Sequence, residues 1–171
     1  MSIGGGSSPG GPDHLFPMEF AKAVDIDPRK VNYVTYDGGG DLLPALLGSK
    51  IKAGMSGLGE YAEQIEKGQV KVLAVSGEER VPGIDAPTLK ESDVELTFIN
   101  WRGILAPPGI SAARREQLID LLQQMHDSTG WQEALKLNNW TDAWMTGDEF
   151  GEFLTSQDER VETTLKELGL L

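Results

Sequence analysis

The stretch SIGGGSSPGGPDHL, Ser2–Leu15, decides how the rest of the chain is read. Its first residues have the length and the branched centre of a short strand that ends in glycines. From about Gly10 to Val24 the pattern changes to a helix, with Phe16, Phe20 and Val24 at i, i+4 and i+8. A strand that runs through glycines into a helix start is the opening half of a parallel βαβ unit. Pro17 fits that helix only in its first turn; further in, it kinks the helix. The same stretch is not a nucleotide loop. It lacks G-x-x-x-x-G-K-[ST], and it does not keep G-x-G-x-x-G spacing with an acid about 20 residues on.

Working outward, the strand-helix alternation repeats. VNYVTY, Val31–Tyr36, is rich in β-branched and aromatic residues and predicts a strand. GGGDLLPALLGS, Gly38–Ser49, predicts a helix that stops at Gly48 as the residue past its C-cap. IKAGMS, Ile51–Ser56, predicts a strand. Ser56 is placed to cap the helix GLGEYAEQIEKG, Gly57–Gly68. VKVLAVS, Val70–Ser76, has the near-continuous apolar centre of a central parallel strand. The βαβαβαβ order implies an α/β fold with a doubly wound parallel sheet and helices on both faces.

The rhythm then changes. A short helical turn is expected near Thr88–Ser92, followed by a long extended segment, ELTFINWRGILAPPGI, Glu95–Ile110, which its prolines end. Ser111 caps a helix to about His126, with Leu118, Leu121, Leu122 and Met125 facing inward. A shorter helix holds Trp131, Ala134 and Leu135, and WTDAWM, Trp140–Met145, predicts a short strand. TGDE, Thr146–Glu149, is a capping box that opens a long helix with Phe150, Phe153, Leu154, Val161, Leu165 and Leu168 on one face. Three parts are expected: an α/β domain over 1–100, a crossover segment over 101–108, and a mostly helical part over 109–171.

The 171 residues carry a formal net charge of −12, which argues against nucleic acid and anionic membrane surfaces as partners. There is no cysteine, so a disulfide framework, a zinc-thiolate site and a cysteine nucleophile are excluded. No apolar run has the length of a membrane span, and the first residues have neither the basic nor the apolar region of a signal peptide. No H-x-x-x-H or D-x-D-x-D-G pattern occurs, so no metal site is expected, and no cofactor. Catalysis has little to draw on. His126 lies late in a solvated helix and reads as structural. His14 stands beside Asp13 at a helix start, where it either orients a ligand or bonds a nearby carbonyl. Ser7 or Ser8 with His14 and Asp13 share one turn and do not stack as a triad.

Ligands of open parallel sheets bind beyond the carboxyl ends of the strands. Three such ends here are glycine-rich and lead into helices: Gly4–Gly11, Asp37–Asp41 and Ser56–Gly59. Glycine admits close approach to the backbone, and helix N-termini offer free N–H donors with a partial positive charge. Convergence of three such ends makes a site for a carboxylate or another oxyanion; taken singly, each is equally a tight strand-to-helix turn. In the extended segment, Arg102 either grips a carboxylate through two donors or pairs with a surface acid, and Trp101 reads as a packing residue.

Four segments in order carry a resemblance: GGGSSPGGPDHL, VNYVTYDGGGDLLPALLGSKIKAG, GQVKVLAVSGEERVPGIDAPTLKES and NWRGILAPPGIS. Together they closely resemble the solute-binding receptors of tripartite tricarboxylate transporters, the TctC or Bug family. The resemblance implies a type II periplasmic binding protein, with two α/β lobes joined by two crossover strands, in the periplasm or at the cell surface. It implies capture of a di- or tricarboxylate such as citrate, or of an acidic amino acid, for delivery to the membrane permease, with no chemistry on the ligand. Carried over by position, the backbone donors are Gly6, Ser7, Ser8 and Gly10, then Gly38, Gly39 and Gly40, then Ser56 and Gly57. The chain departs from the family in lacking the export signal and the residues that build most of the first lobe. It is therefore expected to be a second lobe with a C-terminal remnant of the first, as a truncated frame or one half of a split receptor. Two other readings remain at this point. One is a non-enzymatic sensing or adaptor domain that docks a partner or a second copy through Trp131, Trp140, Trp144, Phe150 and Phe153. The other is an enzyme acting on a carboxylated substrate, which lacks a base and nucleophile pair.

Overall fold

Gly4 and Gly5 lie at the centre of the architecture because nothing larger fits there. The computed structural model describes residues 1–171. Strand β1, Ser2–Gly5, is the middle of a three-stranded parallel sheet between β2, Asn32–Thr35, and β3, Ala53–Gly54. Ile3 is opposite both Tyr33 and Ala53. A Cβ on Gly4 would come within 2.5 Å of Leu42 and 2.6 Å of Ile51, whereas one on Gly5 would meet the Tyr33 ring and the Cβ of Asp13. Successive strand residues face opposite sides of a sheet. The helix that carries Asp13 and the helix that carries Leu42 therefore cover opposite faces.

Those helices are α1, Pro12–Ala23, and α2, Gly39–Leu47. Pro12 occupies the first helical turn, where its missing N–H costs nothing. Pro17 sits in the second turn, yet the helix runs on to Ala23. The ring is fully buried, so packing offsets the one lost backbone bond. The buried face of α1 is His14, Leu15, Pro17, Met18 and Ala21, while Phe16, Phe20 and Val24 are only half-buried on its flank. On the α2 side the core is Leu42, Ala45, Ile51 and Tyr61, packed by Val34, Tyr36, Leu43, Leu46 and Ile65.

The end of α2 differs from the expected glycine stop. Gly48 has φ −79° and is the C-cap; the left-handed residue is Ser49, at φ +55°. The Ser49 N–H donates to the Leu46 carbonyl at 3.0 Å and the Lys50 N–H to Ala45 at 2.9 Å. That pair closes a Schellman motif around a serine. Ser56 is not a cap either. The third helical stretch starts as a 3-10 turn, Leu58–Tyr61, after Gly57, and continues as α3, Ala62–Glu66, to Gly68 at φ +66°.

The expected fourth strand does not form. Val70–Ser76 makes no ladder with the sheet, and Leu73 is 71% exposed. With β3 only two residues long, there is little edge for this segment to pair with. It pairs locally instead: Val75 bridges Thr88, and Ser76 and Phe98 exchange backbone and hydroxyl bonds at 2.9 and 2.7 Å. A short 3-10 turn forms at Lys90–Ser92, as expected near Thr88–Ser92.

The chain divides into two compact units, Met1–Asn100 with Arg160–Leu171, and Trp101–Glu159. In the first, the C-terminal residues lie along α1: Lys22 pairs with Glu167 at 2.6 Å, and the Thr164 hydroxyl donates to Glu19. The Arg160 guanidinium covers the Phe98 ring at 4.7 Å, and Phe98 in turn meets Phe16.

The second unit holds α4, Ala112–His126, α5, Thr129–Asn138, and the first part of α6, Gly147–Glu167. The hydroxyls of Ser111 and Ser128 cap the first two by accepting the Arg114 and Trp131 N–H groups. The inward face expected of α4 is only partly realised. Leu118 and Leu122 are half-buried, but Leu121 is 60% exposed and Met125 is exposed, because only one flank of the helix has neighbours. Trp140–Met145 is not a strand. Trp144 stacks on His126 at 4.4 Å and its indole N–H reaches Gln123, so side-chain contacts rather than a ladder fix it. Glu95–Ile110 forms no ladder either, and Ile104 and Leu105 are exposed. Trp101 packs edge-on against Phe150 and Phe153. Of the five aromatics expected to dock a partner, only Trp140 is exposed; the others are half-buried. No helix is long and apolar enough to cross a membrane.

Candidate functional site

The three parallel strands end side by side, and the loops that leave them meet. Gly6, just past β1, lies against Gly38: a Cβ on Gly6 would be 2.7 Å from the Gly38 carbonyl carbon, and the Gly38 N–H donates to the Gly6 oxygen at 3.1 Å. Gly38 itself has φ +83°, a conformation side chains disfavour. It turns the chain from β2 into α2. These two glycines are needed for the geometry rather than for flexibility.

Asp13, in the first turn of α1, joins the first loop to the third. Its Oδ2 accepts the Gly6 N–H at 2.8 Å and the Ser56 hydroxyl at 2.7 Å. Its own N–H donates to Ser7 Oγ at 3.0 Å, and the Ser7 carbonyl accepts the Tyr33 hydroxyl at 2.7 Å. Burial pushes the Tyr33 phenol up, against the pull of its bond to Ser7. All three strand ends are thus tied together, with Asp13 as the hub.

His14 accepts the Gly10 N–H at Nδ1, 3.2 Å away, and its ring stands edge-on to Tyr33 at 5.0 Å. An accepting Nδ1 places the ring proton on Nε2 in the neutral form. Burial lowers the pKa in the same direction. The histidine therefore holds the loop through an amide, not through a carbonyl.

At the start of α2 the Gly39 N–H donates to Glu60 Oε2 at 2.8 Å, and the Ser56 hydroxyl lies 3.3 Å from Glu60 Oε1. Next to it the Tyr61 hydroxyl is buried without a hydrogen-bond partner. Burial first of all, with the charges of Glu60 and Asp13 and against the pull of the neighbouring Ser56 hydroxyl, pushes this phenol up to about 12. It is a neutral donor at any ordinary pH.

Gly6, Ser7, Gly10, His14, Gly38, Gly39 and Ser56 are therefore brought together in one bonded cluster. Ser8 and Gly40 are exposed on its rim, and Gly57 precedes the 3-10 turn. Arg102 belongs to the other unit, where its guanidinium donates to the Trp101 carbonyl at 3.0 Å. Sequence reasoning missed Asp13, Tyr33, Glu60 and Tyr61 as members. The signal was the placement of acids: the loops 4–13, 37–41 and 56–60 contain Asp13, Asp37, Asp41 and Glu60 and no lysine or arginine. Apart from the His14 Nε2–H, the donors here are backbone amides and hydroxyls.

Comparison with known proteins gives concordant results. A family model described as "TctC: Tripartite tricarboxylate transporter family receptor" matches residues 3–170. A protein of Cupriavidus necator described as "UPF0065 protein in gbd 5'region" is 23% identical over 158 residues, 92% of this chain and 47% of that one. The crystal structure of a TctC solute binding protein from Polaromonas, without ligand, superimposes with a TM-score of 0.80 at 24% identity. It covers 98% of this chain and 57% of the other. The chain thus spans about half the length of these relatives, and over that length it has the fold of the Polaromonas protein.

Proposed function

The chain belongs to the tripartite tricarboxylate transporter family of receptors, and on that premise we propose that it captures a small carboxylate at the joined strand ends and serves a membrane transporter outside the cytoplasm. One observation carries the carboxylate: two backbone amides at these strand ends, Gly6 and Gly39, each already bind a carboxylate oxygen at 2.8 Å. The loops have the geometry for that group, and helix N-termini favour it. Gly6, Ser7, Ser8, Gly10, Gly38, Gly39, Gly40, Ser56 and Gly57 are the ligand loops, with His14 holding the first of them. The ligand is a di- or tricarboxylate such as citrate, or an acidic amino acid. Its partners are the membrane subunits of the transporter.

The reading involves no chemical step. His14 is engaged and neutral, and no nucleophile is hydrogen-bonded to it. Arg102 and a dimer through the helical unit are further members of this proposal, the dimer resting on the exposed Leu137 and Trp140. The test is titration of the folded, ¹⁵N-labelled chain with succinate, citrate and glutamate. The Gly6, Gly10 and Gly38–Gly40 amide resonances should shift selectively. A spectrum unchanged by the whole panel refutes ligand capture by this chain.

A further inference from the structure

Glu60 differs from the exposed carboxylates of its unit that sit in ion pairs. Glu63, Glu78 and Glu91 pair with Lys67, Lys90 and Arg80. Glu60 forms no ion pair. One oxygen takes the first amide of a nine-residue helix, and the other has only a long contact to Ser56, whose proton is better placed on Asp13 at 2.7 Å. A carboxylate bound to a helix-start amide, held by little else and open to water, is chemically the same as a bound ligand carboxylate. Close by, the Tyr61 hydroxyl is buried beside Ser56, and it feels both Glu60 and Asp13. The Gly39 amide is buried, and a Cβ there would overlap Glu60 Oε2 at 2.0 Å, so the seat is filled by this one group.

We propose that Glu60 is a specificity-determining residue: its carboxylate is a built-in competitor on the Gly39 amide, and it sets the negative charge the site accepts. This rests on the reading of the chain as a carboxylate receptor. A ligand carboxylate reaches Gly39 only when Glu60 swings away. Glu60 stays nearby as an anion, with Asp13, Asp37 and Asp41 in the same loops and no base among them. Repulsion therefore grows with ligand charge. The site favours ligands of low net negative charge over tricarboxylates.

The test compares wild type, Glu60→Gln, Glu60→Ala and the control Glu63→Gln by calorimetry with succinate and citrate, each variant first checked for an unchanged melting profile. Gln keeps an acceptor for Gly39 and removes only the charge. Glu60→Ala should tighten binding on the order of tenfold, the scale of one charge-assisted bond exposed to solvent, with Glu60→Gln between it and wild type. The gain should be larger for citrate than for succinate, and the Gly39 amide should shift further on ligand addition than in wild type. Glu63→Gln should match wild type. Equal dissociation constants across wild type and both Glu60 variants, or an equal gain for both ligands, overturn the proposal and leave the receptor reading standing. Absence of binding in every folded variant overturns both.

Discussion

Replacing Asp13 by alanine should loosen two loops at once. Its Oδ2 receives the Gly6 N–H at 2.8 Å and the Ser56 hydroxyl at 2.7 Å, and both distances are those of charge-assisted bonds. Each such bond contributes about 1.5–3 kcal/mol when made to a charged group, and the partial exposure here argues for the lower end. Loss of both therefore costs about 2–4 kcal/mol, since Gly6 is left without its acceptor next to the Gly38 backbone. Asp13→Asn keeps an oxygen that can accept both bonds but loses the charge, and should lose about half of that. Ser56→Ala removes the second bond, with the long contact to Glu60, and should cost about 1–2 kcal/mol. Urea unfolding of the three variants gives these numbers, and the Asp13→Ala/Ser56→Ala double variant gives the coupling, expected at about 1 kcal/mol. The Gly6 amide resonance should move upfield in Asp13→Ala. A loss below about 0.5 kcal/mol, or strict additivity of the two changes, would show that Asp13 is not the hub.

Four further outcomes follow from local geometry. Leu42→Ala removes the fully buried residue that packs against Gly4 and should cost about 2–5 kcal/mol in the same unfolding assay. Gly38→Ala meets no atom within 4 Å but must adopt φ +83° with ψ 175°, a region essentially confined to glycine, so it should destabilise by about 1–3 kcal/mol through strain alone. Gly6→Ala instead collides with the Gly38 backbone and should separate the first two loops, read as weakened carboxylate binding and shifted Gly38–Gly40 amides. The two histidines oppose each other in pH. His126 is raised above 6.5, first by its bond to Asp142, so its contribution is fully present below 6.5 and fades as pH rises through the raised value. His14 is lowered below 6.5 by burial, so its contribution is present above 6.5 and is lost as pH falls through the lowered value. Tryptophan fluorescence, which reports Trp131 and Trp144 beside His126, should therefore titrate above 6.5 in wild type and lose that step in His126→Gln.

Legibility in the sequence followed the range of the interactions. The first two βαβ units, the Ser111-capped helix and the approximate start of the long helix, which begins at Gly147 without the expected Thr146 capping bond, were readable, because strand composition, capping residues and helix periodicity act within a few residues. Val70–Ser76 was misread because an apolar run reports only a wish for burial; whether a sheet edge is there to receive it depends on the two-residue length of β3. Trp140–Met145 was misread for a similar reason: its aromatic side chains found His126 and Gln123 rather than a strand partner.

For the site, the sequence by itself determined which backbone is present: glycines after three successive strands, each opening a helix, with no lysine or arginine in those loops. That follows from local chain stereochemistry and from composition. Which of those amides are open was decided only by the tertiary structure. Asp13 reaches Gly6 across 7 residues and Glu60 reaches Gly39 across 21, and such pairs form only when the sheet order β2-β1-β3 sets the strand ends side by side. A loop that reads as a free anion cradle is, in the folded chain, already shared with two of the protein's own carboxylates.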